Sequence, residues 1–173
     1  MSTSDIGESL VGAYMRHVEK CSIVTYNNFF PDRQGEIDVV AVRPAKKKRA
    51  ARTVFLCEVT IHIDGMDAEM AARVPGKMER LREFAESTFP GEDHVFQWWS
   101  PRVPKGPRTT AFEDLKQSWA AEGRAFEPIF NEDFTARMVE LVESARGTSS
   151  TTGEPAYRML QILTHLRGDR PTL

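Results

Sequence analysis

Two carboxylates set inside apolar segments carry the plainest chemical potential in this chain: Asp38 in Gly35-Glu36-Ile37-Asp38 and Glu58 in Cys57-Glu58-Val59-Thr60. Both segments read as β-strands, over 36–43 and 53–63, joined by a polar connection over 44–52. A hairpin centred on Lys48 pairs Arg43 with Thr53, Asp38 with Glu58, and Glu36 with Thr60. Side chains alternate along a strand, so Asp38, Glu58 and Thr60 then share one face with Val40, Val42, Val54 and Leu56. The opposite face carries Ile37, Val39, Phe55, Val59 and Ile61. Carboxylates facing each other at about 5 Å repel, and in a half-buried setting one of them must protonate or find a cation. A divalent ion resolves this, because hard oxygen donors and a dication offset both charges. The plain alternative is a pair of strand-end carboxylates held by water or arginine. A register slip of one residue would separate the two.

These strands need neighbours. A helix begins at Asp5, with Ile6, Leu10, Ala13, Tyr14, His17 and Val18 at helical spacing. A β-rich stretch over 22–30 ends at the turn signal Pro31-Asp32. Pro is acceptable in a first helical turn, so a helix is predicted over 75–87, with Met78, Leu81, Phe84 and Ala85 facing inward. A strand over 94–100 and a Pro/Gly-rich connection over 101–107 follow. Beyond these come a helix over 112–122, a short strand over 126–130 and helices over 134–145 and 156–166. The composition of 147–155 reads as a flexible linker. The division is thus a domain over 1–146, the linker, and a C-terminal helical segment over 156–173. The class is α/β, a mixed central sheet flanked by helices with helical additions at the C-terminal end.

The 173 residues are 40% hydrophobic and 28% charged, which places the chain among globular domains rather than disordered segments. A formal net charge of −2 excludes a uniformly basic nucleic-acid binder. The only cysteines, Cys21 and Cys57, stand apart with no Cys/His cluster, which argues against a zinc site and against a disulfide scaffold. No leader pattern or membrane-length apolar run is present, so the expected setting is a soluble, reducing, cytoplasmic one. There is no Ser/His triad pattern and no Gly-rich phosphate loop.

The helix with Gly7-Glu8, the following strand, the 35–42 run GEIDVVAV and the 54–60 run VFLCEVT together resemble the PD-(D/E)XK nuclease superfamily, over roughly 7–100. The resemblance implies a restriction-endonuclease-like αβββαβ core and hydrolysis of phosphodiester bonds, with Mg²⁺ or Mn²⁺ as cofactor and nucleic acid, DNA first, as partner. It matches Asp38 and Glu58 to the motif carboxylates, and it adds the Val59 carbonyl and Glu8 as further metal ligands. Thr60 stands where the family usually has a lysine, and threonine cannot act as a cation. Lys77, from the following helix, is the candidate replacement; its alternative is a solvated surface lysine. If Thr60 leaves the site incomplete, the chain is instead an inactive relative that binds nucleic acid or protein. Glu8 also fits a capping box with Asp5, while Glu36 and His62 lie near the same edge as outer contacts. Many relatives are dimers, so a homodimer is a further expectation.

Lys46-Lys47-Lys48-Arg49, with Arg52, forms a basic hairpin tip that is either solvated or a hold for phosphates. Arg102, Lys105 and Arg108 share those alternatives. Trp98 and Trp99 are adjacent on one strand, so alternation sends one inward and one outward, where it could stack on a base or pack in an interface.

Overall fold

The computed structural model describes residues 5–30, 35–47, 50–62, 64–148 and 153–166. Its elements are α1 (Ile6–His17), β1 (Ile23–Phe29), β2 (Glu36–Arg43), β3 (Thr53–Val59), α2 (Ala68–Thr88), β4 (Asp93–Ser100), α3 (Pro107–Ala121), β5 (Ala125–Phe130), α4 (Glu132–Arg146) and α5 (Pro155–Thr164). The strands form one mixed sheet in the order β1-β2-β3-β4-β5. The first two pairings are antiparallel, and β3-β4 and β4-β5 are parallel. The helices α2 and α3 are the crossovers that parallel neighbours require. The chain is therefore α/β, as its alternation of strand and helix patterns implies.

Helices cover both faces. Met78 and Leu81 of α2, with Phe112 and Trp119 of α3, pack on Val40, Val42, Val54, Leu56, Phe96 and Trp98. On the other side Val11 and Tyr14 of α1, Leu141 of α4 and Tyr157 of α5 pack on Val39, Ala41, Phe55, Cys57 and Trp99. Two-sided burial explains why β2 and β3 read as nearly continuous apolar runs. It also corrects the expectation for the two tryptophans: Trp98 is 2% exposed and Trp99 is fully buried, so neither offers a face to a base. Ile37 departs from strict alternation, joining Phe30 in the cluster on the α2 side.

Two boundaries differ from the sequence pattern. The strand β3 stops at Val59 rather than running on to residue 63; the Thr60 amide, donating to the Trp99 carbonyl at 2.8 Å, makes the last rung of its parallel ladder with β4. Helix α2 begins at Ala68, before Pro75, which lies inside it. Its start is fixed by Asp67, whose side chain accepts from the Met70 amide at 2.7 Å. Proline is costly at such a position because it removes one intrahelical bond. The two strongly buried residues on either side, Val74 and Met78, hold the helix against the sheet through it. Helix α3 likewise starts at Pro107 rather than 112, with proline in the first turn. Both cysteines are free and buried. No helix among the described residues is long and apolar enough to cross a membrane.

Candidate functional site

The hairpin register places the two carboxylates. Val39 pairs with Cys57, Val40 with Leu56 and Arg43 with Thr53, as a loop centred on Lys48 requires. Val39–Cys57 is the last pair of this ladder, and Asp38 and Glu58 are the next residue on each strand. The ladder opens there, and the Asp38 carboxylate (Oδ2) accepts from the Val59 amide at 2.6 Å. This bond satisfies a backbone donor that strand pairing has released. Glu36, by contrast, is exposed and pairs with Phe29 on the β1 side; its expected pairing with Thr60 is lost because β3 has already ended.

Glu58 is 1% exposed, on the face covered by α2. The Lys77 ammonium donates to its Oε2. Because α2 begins at Ala68, Lys77 lies in the middle of the helix rather than in its first turn, so the unfavourable end of the helix dipole does not act on it. The side chain is about two-fifths exposed, and its ammonium lies 5.6 Å from the centre of the Trp98 ring, a cation–π contact. Trp98 is in register with Glu58 across the parallel β3-β4 pair, so the carboxylate, the ammonium and the indole belong to one face.

Burial is the main electrostatic influence on this site. It pushes the Asp38 carboxyl above its ordinary range, against the opposing effects of the Val59 amide and Lys77. Glu58 is raised by burial first and by the Asp38 charge second, with Lys77 and Arg80 acting the other way. Glu8 is pushed up to about 7 by burial, by Asp38 and by Asp5. Of the two readings of Glu8, the capping box is the one the hydrogen bonds show. Glu8 closes it, receiving the Asp5 amide at 3.2 Å while its own amide donates to Asp5 at 2.9 Å. It also feels the Asp38 charge at the N-terminal end of α1.

Beside these groups lies a cleft of about 260 Å³ whose walls include Thr60, His62, Arg73, Lys77 and Trp98. His62 is exposed on its rim, and Thr60 lines it without any bond to Lys77. Arg73 on the same wall is ion-paired with Glu69. Among the described residues no group of three or more His, Cys, Asp or Glu side chains is disposed to hold a metal ion. What the site offers is a carboxylate pair with a neighbouring main-chain carbonyl, not a complete protein cage. Magnesium is often bound in this way, through one or two carboxylates with water completing the shell.

Sequence reasoning missed Arg80, and it named Asp5 only as the cap of α1 and not as a charge acting on Glu8 and Asp38. Arg80 follows Lys77 by three residues, a spacing that puts both on one side of a helix, so it was within reach once α2 was known to be continuous. Comparison of the chain with protein-family models, curated proteins and solved structures finds no match.

Proposed function

We propose that this chain is a divalent-metal-dependent nuclease of the PD-(D/E)XK kind, hydrolysing phosphodiester bonds of DNA. The observation that supports this most is the proximity of Asp38 and buried Glu58 just past the last β2-β3 pair, with Lys77 of α2 seated on Glu58. The element order α1-β1-β2-β3-α2-β4 is also that of a restriction-endonuclease-like core.

The residues fit a hard dication. Two carboxylates raised by burial, one of them also by its neighbour, have less neutralisation than their charges need. Asp38, Glu58 and the Val59 carbonyl would hold Mg²⁺ or Mn²⁺, with Glu8 close enough to feel Asp38. When bound, the ion supplies Lewis-acid polarisation of the phosphodiester and acidifies water. The protein's own part is positioning and charge. Lys77 orients the attacking water and offsets charge on the non-bridging oxygens as the new P–O bond forms and the leaving P–O bond breaks. Thr60 supplies a hydroxyl hydrogen bond but no charge, so the cation comes from α2 instead of the strand. Trp98, beneath the ammonium, keeps one side of Lys77 dry, which strengthens its electrostatic effect.

Asp38→Ala and Glu58→Ala are each expected to abolish Mg²⁺-dependent cleavage of a DNA substrate while far-UV circular dichroism stays unchanged. Lys77→Ala should lower the cleavage rate by about 10²–10⁴. Cleavage that survives in both carboxylate variants would overturn the assignment. A second reading, a non-catalytic nucleic-acid- or protein-binding relative, is favoured by Thr60 and by the internal Lys77–Glu58 ion pair. Absence of cleavage by the wild type with every divalent ion tried would select it.

A further inference from the structure

The parallel pairing of β3 and β4 has a consequence beyond the carboxylates. Val59 is level with Trp99, so the chain leaving β4 at Ser100 emerges at the same end of the sheet as Glu58. That chain is the 101–108 connection, which carries Arg102, Lys105 and Arg108 among three prolines. It is firmly held. The Val103 side chain is 1% exposed, its amide donates to the Asn131 side-chain oxygen at 2.9 Å, and its carbonyl accepts from the Asn131 amide nitrogen at 3.0 Å. The Arg102 carbonyl accepts from the Met66 amide at 3.1 Å, bracing the connection against the chain that leads into α2. The stem of Arg102 lies across Gly65, where an added Cβ would sit 3.3 Å from its Cγ; Gly65 has a φ of +92°, a conformation that favours glycine.

These cations differ from most arginines of the molecule. Arg16, Arg43, Arg52 and Arg82 are each held by a carboxylate. Arg102, Lys105 and Arg108 form no ion pair among the described residues. Arg102 and Lys105 are exposed and border a groove of about 530 Å³, in which Glu132 is the one carboxylate. Arg108 occupies the first turn of α3, where a cation opposes the helix dipole. Three unpaired cations on a pre-ordered connection, one of them in an electrostatically adverse place, suit an anionic partner with repeating charge. Ordering cost on binding is small because the prolines and Asn131 have already fixed the backbone.

We propose that the 101–108 connection is a grip for a phosphodiester backbone, holding a polynucleotide strand as it runs from the carboxylate cleft along the end of the sheet. It is sequence-independent: Asn131, the amide side chain that lines the groove, spends both its groups on Val103. The inference rests on the nucleic-acid reading above but not on catalysis.

The test is fluorescence anisotropy of the full chain with a labelled oligonucleotide in EDTA, single-stranded in one arm and duplex in the other, over a range of salt. The triple variant Arg102→Gln, Lys105→Gln, Arg108→Gln is expected to bind on the order of tenfold or more weakly than wild type, with the slope of log affinity against log salt reduced by about 2–3. Lys46→Gln with Lys47→Gln, at the opposite end of the sheet, should retain wild-type affinity. Unchanged affinity in the triple variant, an equal loss in the Lys46/Lys47 variant, or no binding by the wild type would each overturn the grip. Binding that depends on the three cations, in a protein that cleaves nothing, would leave the grip standing and remove the nuclease reading. Cleavage by a wild type whose affinity is untouched by the triple substitution would do the reverse.

Discussion

Glu58 is buried with the Lys77 ammonium on it and the Asp38 charge nearby, which fixes the sign of the pH dependence. The folded pKa values of both carboxyls lie above those of the unfolded chain, as does that of Glu8, which rises from 4.5 to about 7. The folded protein therefore holds protons that the unfolded chain releases. Stability from Glu8 and Glu58 is fully present below their unfolded value of 4.5 and is lost as pH rises through about 7, and Asp38 acts with the same sign. His17, whose pKa burial lowers from 6.5, acts with the opposite sign in part of that window. The contrast with Asp38→Asn isolates the site, because the variant removes one buried charge and part of the shift on Glu58. In EDTA at neutral pH, Asp38→Asn is expected to be more stable by on the order of 1 kcal/mol, a rise in Tm of about 2–4 °C. Adding Mn²⁺ should stabilise the wild type and not the variant. A variant that melts at or below the wild type in EDTA would show that the two carboxylates are not in conflict.

At the scale of elements, α1 matters because its first turn brings Glu8 to the site and its middle seats on β1. Gly12 makes the seating possible: an added Cβ would lie 2.0 Å from the Tyr26 hydroxyl oxygen and 2.5 Å from the ring carbon bearing it. In an isolated helix Gly→Ala would gain about 1 kcal/mol, but overpacking here costs about 1–3 kcal/mol. Gly12→Ala should therefore lower the denaturant midpoint, with the m-value unchanged. A higher midpoint would mean that α1 does not lie against Tyr26. The start of α1 was legible, since Asp5 and Glu8 have the capping-box spacing and form it. The start of α2 was not. Pro75 resembles a first-turn proline, and only the packing of Val74 and Met78 on the sheet shows that the helix passes through it.

On the scale of the whole molecule, α5 closes the face opposite the site. Glu154, 8% exposed, accepts from Arg16 Nε at 2.7 Å, the Ala156 amide donates to the Ser9 hydroxyl at 3.2 Å, and the His17 and Tyr157 rings stack with centroids 3.7 Å apart. Part of the predicted linker, 149–152, lies outside the described residues, as do Lys48 and Arg49 of the basic tip and 167–173. Glu154→Ala removes the charged partner of a half-exposed arginine, so a cost of about 1–3 kcal/mol is expected. Hydrogen exchange should show amides of α5 losing protection while those of β2 and β3 keep theirs. Uniform loss across the sheet would mean that α5 is integral to the core instead of a clasp upon it.

The β2-β3 register was legible in the sequence, because a symmetric loop and period-two alternation point to the pairing of Arg43 with Thr53 and of Val40 with Leu56 that the sheet has. Local patterns likewise determined the α/β class and the cap of α1. Only the tertiary structure decided where Lys77 sits, since a helix that starts at Ala68 turns a first-turn residue into a mid-helix one aimed at Glu58. It also decided that both tryptophans are buried, which depends on helices arriving from distant parts of the chain to cover each face. And it alone put the 101–108 cations at the carboxylate end, because strand direction and order are properties of the assembled sheet and are not encoded in any single segment.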